Sequence, residues 1–321
     1  MVGVGHIPTE NVSRTKFHLW YHESYTSGID EKARFPRDRY DKILAQLQTL
    51  PNSTKLEIKT PEPISRELLL LGHSTNYVDN FLNGALSESE MRRIGLTPWK
   101  PEIVDRTLLL TGGALEATLH AVQNGGLAGN MAGGTHHAHR DFGSGYCIFN
   151  DLAICAKYAV SELKKQSVVV LDLDVHQGDG TATILQSEQN ILTISLHCST
   201  NFPFRKSVSD IDIPLPPGIS DDIYLQNVKI AIQNCLDFNP DLVLFQSGVD
   251  GLATDALGKL NISREGMQKR NQMVFDAMLS HRIPTVIFMG GGYSKPIEYT
   301  VDAFVDLFGD AITWNEKWHF E

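Results

Sequence analysis

Three carboxylates and an imidazole crowd into eight residues, Asp172-Leu173-Asp174-Val175-His176-Gln177-Gly178-Asp179. Burying that much charge requires a bound cation or partners of opposite sign. On extended backbone Asp172, Asp174 and His176 share a period of two and project to one side, a geometry that suits metal coordination. Gly178 and Gly180 let the chain turn sharply and bring Asp179 back toward the same place. A second cluster, Gly133-Gly134-Thr135-His136-His137-Ala138-His139, sets adjacent histidines behind a glycine pair. A third, Gln246 to Gly258, offers Asp250 and Asp255, either of which qualifies as a further ligand. A fourth, Gly290-Gly291-Gly292-Tyr293, can place a phenol in a pocket.

Together these are the parts of a hydrolytic centre. Oxygen and nitrogen donors suit zinc, and iron(II) nearly as well. Zinc with three protein ligands keeps a position for water, lowers that water's pKa toward about 7 and polarises a carbonyl. A histidine pair can shuttle protons, a carboxylate behind each histidine would fix its tautomer, and a phenol can donate to a developing oxyanion. His139 receives no chemical role.

The elements that must hold these clusters are legible as short apolar runs, each ending where a cluster begins. Phe17 to Tyr21, Val168 to Leu171, Ile191 to Ile194, Leu242 to Phe245 and Thr285 to Met289 read as buried strands, and Asn130 to Ala132 as a shorter piece ahead of the histidines. Helical spacing appears after Ser220, with Tyr224, Val228, Ile232 and Cys235 on one face, and over Asp105 to Ala121, where Gly112 and Gly113 threaten an interruption. Strands alternating with helices predict a single α/β domain over residues 15–321, a mostly parallel sheet with helices on both faces. Sites in such sheets form beyond the carboxyl ends of the strands. Residues 1–14 read as a flexible N-terminal tail and Pro214 to Gly218 as a surface loop.

With 28 Lys and Arg against 38 Asp and Glu, the formal charge is −10, which opposes binding to nucleic acid and favours a cationic partner such as a lysine-rich peptide. Cys147, Cys155, Cys198 and Cys235 form no C-x-x-C pair, which fits a reducing compartment. Neither a signal peptide nor a membrane-spanning stretch is read, so a cytoplasmic location is expected. Sequons at Asn11, Asn52 and Asn261 are read as chance. The oligomeric state is not legible.

The motif order resembles the zinc-dependent histone deacetylases: G-G-x-H-H-A, D-x-D-V-H-x-G-D-G, S-L-H, D-x-L-x-x-D-x-L-G and G-G-G-Y, spanning most of the chain. Ser144 to Asp151 and Asn261-Ile262-Ser263 add to it. Arg34-Phe35-Pro36 and Asn201-Phe202-Pro203-Phe204 look most like the small class IV and bacterial members. The resemblance implies an arginase/deacetylase fold and removal of acetyl or longer acyl groups from lysine side chains of proteins or peptides. It makes Asp174, His176 and Asp255 zinc ligands and leaves Asp250 a neighbour. It pairs His136 with Asp172 and His137 with Asp179, with His137 the general base, and makes Tyr293 the oxyanion donor. It implies a structural potassium ion near Asp172, Asp174, His176, Ser195 and Leu196. Gly145 and Tyr146 would line a tunnel for the lysine stem, with Phe202 or Phe204 opposite. Gln177, Thr135, Tyr146 and Thr254 depart from the usual residues without removing a catalytic group. Acetylpolyamine hydrolysis on the same fold and a silent acyl-lysine binder are the rival readings; an arginase-like two-metal site is disfavoured because Asp174-Val175-His176-Gln177-Gly178 departs from D-A-H-x-D.

Overall fold

A computed structural model describes residues 15–320; the tail assigned to residues 1–14, with its sequon at Asn11, lies outside them. Eight strands form one sheet in the order β2-β1-β3-β8-β7-β4-β5-β6, every pairing parallel. The central strands β4 (Val168–Asp172), β7 (Leu242–Gln246) and β8 (Thr285–Phe288) are buried throughout. Continuous Val/Ile/Leu runs are what a parallel strand covered on both faces demands. β1 (Phe17–Trp20) and β5 (Ile191–Cys198) also follow their expected runs.

Three strands differ from expectation. β3 is Leu127–Asn130 and ends where the sequence suggested a strand begins; its Gly129 lies against Leu19, Phe17 and Ile287, so small residues rather than an apolar run mark it. β2 (Leu56–Lys59) and β6 (Ile211–Leu215) are edge strands, half-covered, whose apolar residues alternate with others instead of forming a continuous run, which hides them from a search for buried runs. Pro214, expected in a loop, is tolerated in β6 because that strand pairs only with β5.

The helices are α1 (Arg39–Leu47), the short α2 (Arg66–Leu69), α3 (Thr75–Leu82) and α4 (Glu88–Ile94), then α5 (Ile103–Asn124), α6 (Asp151–Ser161), α7 (Asp179–Leu185), α8 (Asp221–Asp237), α9 (Arg264–Ser280) and α10 (Glu298–Phe320). One layer packs α5 on β1, β3 and β8, α6 on β4, and α7 on β5; the other packs α8 on β4, β5 and β6, and α10 on β1 and β3, with α9 between α8 and α10. α8 buries the predicted Tyr224, Val228, Ile232 and Cys235.

The register matters most for the site. Trp20, Asn130, Phe288, Gln246, Asp172 and Ser195 stand abreast across β1, β3, β8, β7, β4 and β5. The loops carrying all four clusters therefore leave the sheet from one line, at its carboxyl edge.

Gly112 and Gly113 do not interrupt α5, which runs through both. They let other chain segments approach. A Cβ at Gly112 would drive into the Glu62 carbonyl oxygen and lie 3.1 Å from the Ile64 amide nitrogen, and one at Gly113 would lie 2.6 Å from the Tyr25 hydroxyl. Helix propensity alone favours Gly112→Ala by up to about 1 kcal/mol, whereas overpacking costs about 1–3 kcal/mol. Gly112→Ala is expected to lower the urea midpoint; a raised midpoint would mean that the Glu62 to Ile64 segment does not rest on the helix.

Candidate metal and catalytic centre

The histidine pair is aimed by its loop. Gly133 and Gly134 leave β3 with φ of 80° and 73°, in the left-handed region where a side chain is strained. The buried Asp151 carboxylate then collects the backbone N–H groups of Gly134 (2.9 Å) and Thr135 (2.8 Å) and the Thr135 hydroxyl (2.7 Å). Asn150 donates its side-chain N–H groups to the carbonyls of His136 and Ala138. Gln246 donates to the Gly134 carbonyl from β7. On the far side, His73 donates from Nδ1 to the His139 carbonyl and accepts the Asn150 backbone N–H at Nε2.

So held, His136 donates from Nδ1 to Asp172 (2.7 Å) and His137 from Nδ1 to Asp179 (2.6 Å), the two pairings that the family resemblance implies. The rings lie 4.1 Å apart. All four residues are buried. Burial opposes charge on His136, but the Asp172 and Asp174 carboxylates outweigh it and carry its pKa up to about 9. Burial and the neighbouring His136 instead push His137 down to about 4. The Nε2 of His137 has no hydrogen-bond partner among the described residues and is thus open to the cavity that His137 lines.

Asp174 and His176 meet beside this pair. Asp174 accepts the backbone N–H groups of His176 (3.0 Å) and Gly291 (2.9 Å), and His176 Nδ1 lies 3.2 Å from Asp174 and 3.0 Å from Asp250. Donor atoms of Asp174, His176 and Asp250 all fall within 4.8 Å of one another. Buried oxygen and nitrogen donors so close suit a divalent cation. Here the structure differs from the ligand set drawn from the resemblance, which named Asp255 rather than Asp250. Asp255 sits at the edge of the group, half-buried, with one oxygen on the Tyr293 N–H (2.6 Å) and the other on the N–H groups of Leu257 and Gly258. Its charge still reaches the centre: burial first, then Asp174 and Asp255, raise Asp250 to about 7 against the opposing pull of His176. Asp172 and Ser195, named for potassium, are register partners on β4 and β5, and Leu196 follows Ser195 in β5; all three are buried.

A cavity of about 370 Å³ opens onto these groups, lined by His136, His137, Asp174, His176, Asp250, Tyr293, Gly145, Tyr146 and Phe202. Burial pushes the Tyr293 phenol well above its ordinary range; Arg39 pulls it down and Asp250 and Asp174 raise it further, so it stays protonated as a donor. The Tyr146 ring lies 5.7 Å from the Tyr293 ring, and Phe202 packs edge-on against His137 at 4.8 Å. Gly145 is required: a Cβ there would meet the His137 ring at 2.6 Å. Phe204, the fourth residue named for the tunnel, also lines the cavity but is 88% exposed, far more than the other three.

The sequence matches the histone deacetylase domain over residues 33–307. The chain belongs to the histone deacetylase family. An uncharacterized protein of Picosynechococcus is 39% identical, covering 88% of this chain and 93% of that one. Histone deacetylase 2 of Arabidopsis thaliana is 28% identical over 89% of this chain and 76% of its own. A histone deacetylase-like amidohydrolase of Pseudomonas aeruginosa is 29% identical, over 76% and 68%. The crystal structure of the HDA15 HD domain superposes with a TM-score of 0.78 at 19% identity, covering 93% of this chain and 90% of that one, which shows a shared fold. Family membership makes this a deacetylase-like hydrolase. Among the described residues, no helix is long and apolar enough to cross a membrane.

Several supports of this deacetylase site escaped sequence reasoning. Arg39, wholly buried, donates to the carbonyls of Gly290 and Gly292 and so sets the glycine turn before Tyr293. Arg270 does the same for Ser247 and Gly248. A lone arginine in a helical pattern carries no signal of burial, so neither was findable. His73 is similarly silent. Burial first among causes holds its pKa down at about 4. Folded-state depression below an unfolded value near 6.5 means that the unfolded chain binds the proton first. Stability contributed by neutral His73 is present above about pH 6.5 and lost as pH falls toward 4, on the order of 3 kcal/mol at the limit. Urea midpoints measured from pH 7 to 4.5 should fall less steeply for His73→Gln than for the parent; equal slopes would contradict a neutral, doubly bonded His73.

Proposed function

We propose that this chain hydrolyses acyl-lysine amides in proteins or peptides at a zinc centre built on Asp174 and His176, with a third carboxylate from Asp255 or Asp250; iron(II) is the alternative metal. The observation that carries the proposal is the convergence of two Asp-backed histidines, an Asp/His/Asp group and a protonated phenol on one cavity. Zinc there would supply acidification of a water and polarisation of the acyl carbonyl. Asp179 keeps the Nδ1 proton on His137, leaving Nε2 to take the proton from the attacking water. His136, held by Asp172 at the higher proton affinity, passes a proton to the leaving lysine amine. Tyr293 donates its O–H to the oxygen that gains charge. Tyr146, Phe202 and Gly145 form apolar walls suited to a methylene chain. A structural potassium ion is proposed at Asp172, Ser195 and the Leu196 backbone, which the shared register of β4 and β5 supports.

Mass-spectrometric assay of peptides carrying acetyl, lactyl, butyryl, octanoyl and myristoyl lysine, beside acetylated polyamines, tests the substrate class. Turnover of at least one lysine peptide is expected, with kcat falling about 10²–10³-fold in Tyr293→Phe and KM little changed. Turnover of polyamines alone would overturn the lysine reading.

The two candidate third ligands separate by metal affinity. Asp255→Asn should weaken zinc retention on dialysis against a chelator if the resemblance names the ligand, and Asp250→Asn should do so if the tight group seen here is the ligand set. Retention of zinc by both variants would refute a three-ligand site on these residues.

A further inference from the structure

We propose, resting on the reading of His137 as the base, that His139 is a positioning residue for it, acting through Asp179. Asp179 is buried and has two oxygens to satisfy. Oδ1 accepts from His137 Nδ1 at 2.6 Å, and Oδ2 lies 3.1 Å from His139 Nε2; these two histidines are its only side-chain partners among the described residues. A carboxylate tied at one oxygen can still swing about its side-chain torsions, carrying the bonded imidazole with it. Donors on both oxygens fix its plane.

His139 is itself over-determined, as a clamp must be. Its Nδ1 lies 2.8 Å from the Thr183 hydroxyl. Asp179 and Thr183 are four residues apart on α7, so one helix face presents both partners of the ring. The ring stacks on Phe142 at 4.5 Å with an interplanar angle of 24°. Its backbone N–H donates to the Phe142 carbonyl, and its carbonyl accepts from His73. With Nε2–H on Asp179, Nδ1 accepts from Thr183, whose single hydroxyl proton is shared with the Gly180 carbonyl at 3.0 Å. The side chain is 16% exposed, too covered for a solvated surface histidine. His139 lies away from the reacting atoms and does not line the cavity. Its effect is therefore on orientation, and removing it leaves Oδ2 buried without a donor.

The test uses isosteres. Gln at position 139 can place an N–H where Nε2 stands; Asn reaches only the Nδ1 position, keeping Thr183 and losing Asp179. In the zinc-loaded full chain, with an acetyl-lysine peptide, His139→Asn and His139→Ala are expected to lower kcat by about 10–100-fold with KM within about twofold, and His139→Gln to restore most of it. A second readout is independent of turnover: the downfield proton resonance of His137 Nδ1–H, in ¹⁵N-histidine-labelled protein, should weaken or move in His139→Asn and persist in His139→Gln. Thr183→Val, which loosens the ring without removing it, should show a smaller loss of the same kind. Wild-type kcat in His139→Asn with an unmoved resonance, or equal losses in Gln and Ala variants, would overturn the proposal. A parent enzyme inert on every acyl-lysine, yet losing the resonance in His139→Asn, would overturn the hydrolase reading while upholding the clamp.

Discussion

Everything at this site depends on keeping Asp172, Asp174, Asp179 and Asp250 ionisable inside a protein interior. Each is at most 5% exposed. Isolated carboxylates there would be too costly, so the surrounding structure is organised to answer them. Backbone N–H groups of Val175, His176 and Gly291 point at Asp250 and Asp174. Imidazoles of His136, His137, His139 and His176 take the rest. The field that lifts proton affinity on His136 and His176 is the same field that favours a divalent cation.

The parallel sheet makes that concentration possible. Level strand ends at Asn130, Phe288, Gln246 and Asp172 deliver four loops to one place without long connections. Buried arginines then complete the scaffold: Arg39 and Arg270 each bind carbonyls of turns that carry Tyr293 or flank Asp250, and neither competes for the carboxylates. Satisfying carbonyls with cations from the protein side leaves the Asp174 and Asp250 carboxylates on the cavity lining.

Much of this was legible in the sequence because chemistry and burial leave different marks. Continuous apolar runs announced β4 and β7, and polar clusters directly after them announced the site. Edge strands β2 and β6 were hidden because half-covered strands lack such runs, and β3 because Ala128, Gly129 and Asn130 are chosen for close packing. Gly112 and Gly113 read as helix breakers, yet they serve tertiary contact, which no local rule reports. The pairing of His136 with Asp172 and His137 with Asp179 came from the family resemblance, and the structure has these side chains 2.7 and 2.6 Å apart. The choice between Asp250 and Asp255 turns on a few ångströms of loop placement, and His139 on a contact across α7; spacing along the chain encodes neither.

On the function proposed above, one buried cluster both binds the metal and performs hydrolysis. The most direct test is titration of metal-free protein with zinc while acetate release from an acetyl-lysine peptide and bound zinc are followed together. Activity rising linearly to a sharp break at one zinc per chain is the expected result. Undiminished turnover in the metal-free protein, or saturation of the site with zinc and no acetate released, would contradict it.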